Sequence, residues 1–315
     1  MNIVFLDSTA IPKHISIPRP SFPHNWVEYK YTSAEQTIER AKDADIIITN
    51  KVILSREVLQ QLPKLKLIAL TATGTDNVDL DAAKELGVTV KNVTGYSVTT
   101  VPEHVLGMIF ALKHSLAGWQ RDQITGKWTE SKQFCYFDYP ITDVKGSTLG
   151  VFGKGCLGTE VGRLAELLGM KVLYAEHQNA TTCREGYTPF EEVLKQADIL
   201  TLHCALTETT KNLINQETLS LCKKGAYLIN TGRGPLIDEQ AVCDALKSGH
   251  LGGAALDVLV KEPPEKNNPL IELAKTMPNL IITPHIAWAS DSAVTTLTKK
   301  VTQNIEDFVQ QLNQK

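Results

Sequence analysis

The chain has 315 residues, 43% of them hydrophobic, and a formal net charge of −3. That apolar content suffices for one large or two ordinary cores. The balanced charge lacks the basic stripe of a nucleic-acid surface, and no apolar run reaches the length of a membrane span. Met1 leads almost directly into an apolar strand pattern, without the layout of a signal peptide. Cys135, Cys156, Cys183, Cys204, Cys222 and Cys243 form no C-x-x-C pair. The expectation is therefore a cytoplasmic protein with reduced thiols and no metal site.

Residues 1–98 alternate strand and helix patterns on their own. Ile3–Leu6, Trp26–Tyr31, Asp45–Thr49, Leu65–Thr71 and Val88–Val90 read as strands. Ser33–Ala41, Ser55–Gln61 and Asp79–Leu86 read as helices, the first opened by a serine with Glu35 and Gln36 in its first turn and the last closed by Gly87. The pattern predicts a small doubly wound domain without a phosphate fingerprint. After Leu65–Thr71 comes a turn, Ala72-Thr73-Gly74-Thr75-Asp76-Asn77, that opens on small residues. Its exposed backbone N–H groups suit a carboxylate, and an ordinary strand–helix turn reads equally well.

Val101–Gln120 is expected as one long apolar helix leading into a second domain. Trp119, Trp128, Phe134, Tyr136, Phe137 and Tyr139 follow closely. So many aromatics either pack on their own domain or form an oligomer arm, and the arm is the expectation for 117–139.

From Ser147 the chain reads strand, glycine turn, helix, strand, acid. Thr148–Phe152 is an apolar strand, and Gly153-Lys154-Gly155-Cys156-Leu157-Gly158 is a G-x-G-x-x-G. Gly153 permits the tight turn, Gly155 lets backbone approach a pyrophosphate, and Gly158 lets helix and strand pack closely. The helix N-terminus then offers free N–H groups to phosphate. Glu176 ends the strand Lys171–Ala175, near the spacing of about 20 residues expected for the acid that holds the adenosine ribose hydroxyls. A dinucleotide site follows from these parts in register. Further strands are expected at Ile199–His203, Ala226–Asn230, Gly253–Asp257 and Leu280–Thr283, in a parallel sheet with right-handed crossovers. A final amphipathic helix, Ser290–Gln314, is expected to return to the first domain.

Ligands of such sheets sit beyond the carboxyl ends of the strands. The polar residues there are Glu176, His203, Thr231 with Arg233, Asp257, Glu262 and His285. Reduction of a carbonyl by a nicotinamide needs a cation that orients the substrate and polarises its C=O, and an acid that protonates the oxygen. Arg233 suits the first role, since its planar fork holds a carboxylate and stays charged. His285 suits the second, since imidazole titrates near neutral pH. Glu262 would pair with His285, orient it and keep it protonated. Singly, these three also read as a surface arginine, a solvated acid and a strand-end cap; behind a dinucleotide fingerprint they read as a reacting set. Asp257 is either an acceptor for a carboxamide N–H or a structural strand-end acid. Cys156 reads as a small residue against the cofactor, and His104 as a packed core histidine.

With these residues placed, the chain resembles the D-isomer-specific 2-hydroxyacid dehydrogenase family over essentially its whole length. The resemblance rests on the Gly153/Gly155/Gly158 loop, His203-Cys204-Ala205-Leu206-Thr207, Asn230-Thr231-Gly232-Arg233-Gly234, Lys261-Glu262-Pro263 and Thr283-Pro284-His285. It implies an α/β protein of two doubly wound, Rossmann-like domains with parallel sheets. Residues 1–98 and 286–315 would form a discontinuous, flavodoxin-like substrate domain, and 99–285 the NAD-binding domain, with the active cleft between them. Arg233, Glu262 and His285 would be catalytic. Cys156, Leu157, Glu176, Ala205, Leu206, Thr231, Asp257 and Ala287 would join the glycines around NAD. Thr73 and Gly74, with Arg233 and His285, would hold substrate. A homodimer built on the NAD domains is implied, with no nucleic-acid or membrane partner.

Within the family, Ala72–Asp79, Val172–Glu176 and Pro284–Ser290 are similar to the glycerate dehydrogenase (hydroxypyruvate reductase) branch. That implies reduction of hydroxypyruvate, and of glyoxylate. A D-lactate-type enzyme of larger 2-keto acids and a non-catalytic NAD(H)-sensing protein are the alternatives. Two positions depart from the family. Ala205 stands where proline is usual, which loosens a cofactor-lining turn. Glu176 replaces the commoner aspartate and, with no arginine directly after it, predicts NAD over NADP.

Overall fold

Residues 1–314 are described by the computed structural model. The first unit comprises Met1–Ser97 together with the chain from Ala289 onward. It begins with strands β1 (Asn2–Phe5) and β2 (Asn25–Glu28), helix α1 (Ala34–Ala41), β3 (Ile46–Thr49), α2 (Arg56–Leu59), β4 (Leu67–Leu70), α3 (Leu80–Glu85) and β5 (Thr89–Lys91). The strands lie in the order β2-β1-β3-β4-β5, every pair parallel. Every residue of β3 and β4 is buried, as continuous apolar strands of a sheet covered on both faces must be. Local polar signals set the helix starts. Gln36 Oε1 accepts from the Ser33 amide at 3.2 Å before α1, and Asp79 accepts from the Ala82 amide at 2.8 Å before α3.

The second unit, Val98–Trp288, contains α4 (Thr100–Lys113), α5 (Leu116–Ile124), α6 (Lys127–Ser131), β6 (Thr148–Phe152), α7 (Cys156–Leu167), β7 (Lys171–Ala175), α8 (Phe190–Gln196), β8 (Ile199–Leu202), α9 (Gln216–Ser220), β9 (Ala226–Asn230), α10 (Glu239–Lys247), β10 (Leu251–Leu256), α11 (Pro269–Ala274) and β11 (Leu280–Ile282). Its parallel sheet runs β11-β10-β9-β8-β6-β7. Both sheets share the flavodoxin-type order, the second with one strand more. In each, the chain reverses direction across the sheet beside its first strand, here between β6 and β8, which is where ligands gather in open sheets. One apolar cluster, around Val193, Leu228 and Leu256, covers one face. Another, around Val105, Ile109, Val161 and Ile229, covers the other. The last helix, α12 (Asp291–Asn313), is built into the first unit. It buries Val294, Leu297, Val301 and Ile305, and Lys300 and Asn304 donate to Thr94 O and Asn92 O at 3.0 and 3.1 Å.

The expected single helix over 101–120 is two helices. His114 closes α4, and Ser115 takes a left-handed φ of 52°. Ser115 Oγ donates to Pro140 O at 2.6 Å and Trp119 Nε1 to His114 O at 3.1 Å. The second bond satisfies a carbonyl freed at the break, which no glycine or proline marks, and the first ties Ser115 to a distant loop. Beyond the break, Trp119 meets Tyr136 and Tyr139 edge-on, with centroids 5.4 and 4.9 Å away. Both tyrosine hydroxyls and Lys127 Nζ donate to Asp122. This half of the aromatic segment packs on itself, while Trp128, Phe134 and Phe137 are exposed.

Candidate active site

The glycine turn links β6 to α7, and its three glycines do separate jobs. Gly153 has φ of 106°, and a Cβ there would lie 2.5 Å from the Cys204 amide nitrogen, so the turn crosses directly over the end of β8. A Cβ on Gly158 would lie 2.0 Å from Gly153 O, so helix and strand touch backbone to backbone. Gly155 caps α7, and a Cβ there would meet nothing within 4 Å. Its lack of a side chain serves no packing in the protein and leaves room above the helix N-terminus, where an anion is favoured. Cys156 is exposed and Leu157 half-buried on the first turn of that helix.

Beside the turn lies a cavity of about 560 Å³, lined among others by Gly153, Glu176, Arg184, Cys204, Ala205 and Thr207. Glu176 is buried at the end of β7. Its carboxylate accepts from the His177 and Arg184 amides at 2.8 and 3.1 Å, and from Arg184 Nε and Nη2 at 2.7 and 2.5 Å. The Arg184 guanidinium holds the Glu176 carboxyl down at about 2, with the two amides assisting. Arg184 lies 8 residues beyond Glu176, so the residues directly after the acid do not reveal it. The Ala205 turn is tied rather than loose: Thr210 Oγ1 donates to Ala205 O at 2.7 Å and accepts from the Thr207 amide at 2.8 Å. Leu206 beside it is exposed.

The remaining expected residues follow three neighbouring strands, β9, β10 and β11. After β9, Asn230 staples the turn: its Nδ2 donates to Arg233 O at 2.8 Å and its Oδ1 accepts from Gly232 N at 3.0 Å. A Cβ on Gly234 would lie 2.0 Å from the Leu259 carbonyl, so this turn also packs directly on the chain leaving β10. Arg233, between them, directs Nη1 to Gly232 O at 2.9 Å. Thr231 Oγ1 is buried and has no hydrogen-bond partner.

After β11, His285 Nδ1 lies 2.6 Å from Glu262 Oε2, and Glu262 Oε1 accepts from the Leu259 amide at 3.0 Å. The loop bearing His285 is organised by Asp257. That carboxylate accepts from Thr283 Oγ1 at 2.5 Å and from the Ile286 and Ala287 amides, both at 2.9 Å. The strand-end role of Asp257 is thus visible in the protein. His104 Nε2 stands 3.4 Å from Thr283 Oγ1 and 3.9 Å from Asp257. His203 pairs Nε2 with Thr201 Oγ1 at 2.9 Å, and burial pulls its pKa down to about 4, so it stays neutral. In the first unit, Thr73 Oγ1 donates to Val93 O at 2.8 Å and Thr73 O accepts from Asn92 Nδ2 at 2.7 Å. Both bonds hold the Thr73-Gly74 turn open at the end of β4.

This second unit fits a dinucleotide. It offers the space over Gly155, the α7 N-terminus, the buried hydroxyl of Thr231 that lacks a partner, and a cavity lined by Glu176.

A family model for the NAD-binding domain of D-isomer-specific 2-hydroxyacid dehydrogenases matches residues 106–287, more than half of the chain. A Haemophilus influenzae protein, provisionally named a 2-hydroxyacid dehydrogenase, is 82% identical over 315 residues, all of both chains. Glycerate dehydrogenase of Methylorubrum extorquens is 46% identical, covering 98% of this chain and 96% of its own. Among solved structures, D-lactate dehydrogenase of Aquifex aeolicus, complexed with NAD and lactic acid, superposes with a TM-score of 0.82 at 29% identity, covering 98% and 96% of the two chains.

Proposed function

The chain belongs to the D-isomer-specific 2-hydroxyacid dehydrogenase family, and from that premise we propose that it reduces hydroxypyruvate to D-glycerate, and glyoxylate to glycolate, with NADH in preference to NADPH. The observation that carries the reading is the 2.6 Å contact of His285 Nδ1 with Glu262 Oε2 at the end of the sheet that bears the dinucleotide turn. The name of the Methylorubrum relative supports the choice of substrate.

NAD(H), when bound, supplies or accepts the hydride. The residues of the chain do the rest. Glu262 engages Nδ1 of His285, which leaves Nε2 as the nitrogen that faces substrate and delivers the proton to the carbonyl oxygen. The carboxylate of Glu262 also balances the charge of the imidazolium before transfer. Arg233 grips the substrate carboxylate and faces the oxygen on which charge grows. The Thr73 and Gly74 backbone amides, in the turn after β4, suit a substrate carboxylate by their chemistry. Thr231 Oγ1, buried and lacking a partner, and the turn at Ala205 and Leu206 line the cofactor. Asp257 and Ala287 complete that lining and hold the His285 loop in place. The same reading makes the protein a cytoplasmic homodimer joined through the aromatic arm.

The test is the initial rate of NADH oxidation with hydroxypyruvate, glyoxylate, pyruvate and phenylpyruvate. Hydroxypyruvate is expected to give the highest kcat/KM. A preference for phenylpyruvate would assign the enzyme to larger 2-keto acids instead. No turnover on any of the four would leave a protein that binds NAD(H) without catalysis.

A further inference from the structure

Glu176 is placed where an acid would take the two hydroxyls of the adenosine ribose, yet its acceptor sites are filled. A carboxylate has about four lone-pair sites. Two are used by the His177 and Arg184 amides, and the other two by Nε and Nη2 of the Arg184 side chain. One guanidinium therefore takes as many acceptor sites as the ribose needs. The Glu176 side chain is 3% exposed and that of Arg184 is 52% exposed, so the acid is sealed beneath a cation that faces the cavity.

The charge around this end of the cavity is unusual for a pocket selective for NAD. The Arg184 guanidinium lies 4.1 Å over the Tyr187 ring. Lys154, inside the glycine turn, has its Nζ 5.0 Å from the same ring and donates to Gly186 O at 3.1 Å. Glu176, Arg184, Lys154 and Tyr187 all line the cavity. One anion faces two cations, and the anion is paired. An unpaired acid at this place repels a 2′-phosphate; a paired acid beneath an arginine fork offers a phosphate charge-assisted donors instead.

We propose that Arg184 determines cofactor selectivity: closed over Glu176, it occupies the acceptors of the ribose hydroxyls and presents its own cationic face, so that the chain accepts NADP(H) nearly as well as NAD(H). The inference rests on the dinucleotide part of the function proposed above, and it narrows the expected preference for NADH to less than about tenfold. It is independent of which keto acid is reduced.

The test is calorimetric titration of the full-length protein with two fragments, adenosine 5′-monophosphate and adenosine 2′,5′-bisphosphate. Wild type is expected to bind them with Kd values within about tenfold of each other. Arg184→Met is expected to weaken the bisphosphate by at least about tenfold, the loss of one charge-assisted contact, and to leave the monophosphate unchanged or tighter. Glu176→Gln is expected to move the ratio the other way, toward the bisphosphate, which keeps the proposal testable if Arg184→Met fails to fold. The kcat/KM ratio for NADH and NADPH is expected to follow the fragment ratio in each variant. The proposal is overturned if wild type prefers the monophosphate by more than about a hundredfold, if Arg184→Met weakens both fragments equally, or if neither fragment binds. The expected change of fragment ratio in Arg184→Met with no turnover on any keto acid would sink the proposed reaction and leave Arg184 standing. Turnover of hydroxypyruvate with an Arg184→Met fragment ratio equal to that of wild type would do the reverse.

Discussion

His285 has a φ of 56°, a conformation that costs a residue with a Cβ and persists only where its surroundings enforce it. Here they do. The His285 amide donates to Asp257 O and Thr283 O at 2.8 and 3.0 Å, and its carbonyl accepts from Trp288 Nε1 at 2.8 Å. Asp257 takes the next two amides, and Glu262 takes the ring. His203 is held differently, partly buried and without an acid. Its folded pKa of about 4 lies below the ordinary imidazole value of 6.5 because burial disfavours the charged ring. Between those values the unfolded chain binds more protons than the folded one. Stability therefore falls as pH drops from 6.5 toward 4, by up to about 1.4 kcal/mol per pH unit from this group. Urea denaturation at several pH values checks it: His203→Asn is expected to flatten that slope, and an unchanged slope would show that the ring does not titrate there.

At the scale of elements, the two glycines flanking the start of α7 separate packing from binding. Gly158→Ala drives a Cβ into Gly153 O, so the strand–helix contact must open. A loss of about 1–3 kcal/mol in stability is expected, along with NADH affinity. Gly155→Ala puts a methyl into open space at a φ of −82°. Its stability is expected to match wild type while NADH binding weakens more than tenfold. Equal thermal denaturation midpoints in the two variants would contradict this division. Such roles explain what could be read in the chain beforehand. Apolar runs bounded by turns mark buried parallel strands, so the strand ends, and the reactive residues on them, follow from local pattern. The break at Ser115 did not, because tertiary hydrogen bonds to Pro140 and from Trp119 support it. Nor did the Glu176–Arg184 pair, which forms across a loop with no periodic signal, or the φ of His285, which Asp257 and Glu262 impose from another strand.

For the molecule as a whole, the chain leaves its first sheet, completes a second, and returns through α12 to the first unit. Among the described residues no helix is long and apolar enough to cross a membrane. In the proposed homodimer the aromatic segment carries the interface. Phe134 and Phe137 are 93% and 79% exposed, although Trp119, Tyr136 and Tyr139 beside them pack on one another. Burying such exposed aromatics against a second copy would be favourable. Sedimentation equilibrium is expected to give a dimer for wild type and a shift toward monomer for the Phe134→Ser, Phe137→Ser double variant. A monomeric wild type would remove the arm from the account.

The central claim is that His285, held by Glu262, is the acid of a hydride-transfer reaction. Single-turnover oxidation of bound NADH by hydroxypyruvate, compared in wild type and His285→Ala, tests it most directly, with NADH affinity measured on both. Unchanged affinity is expected, with a rate lower by about 10²–10⁴ in the variant, the span of general acid catalysis. Equal rates in the two proteins would contradict it.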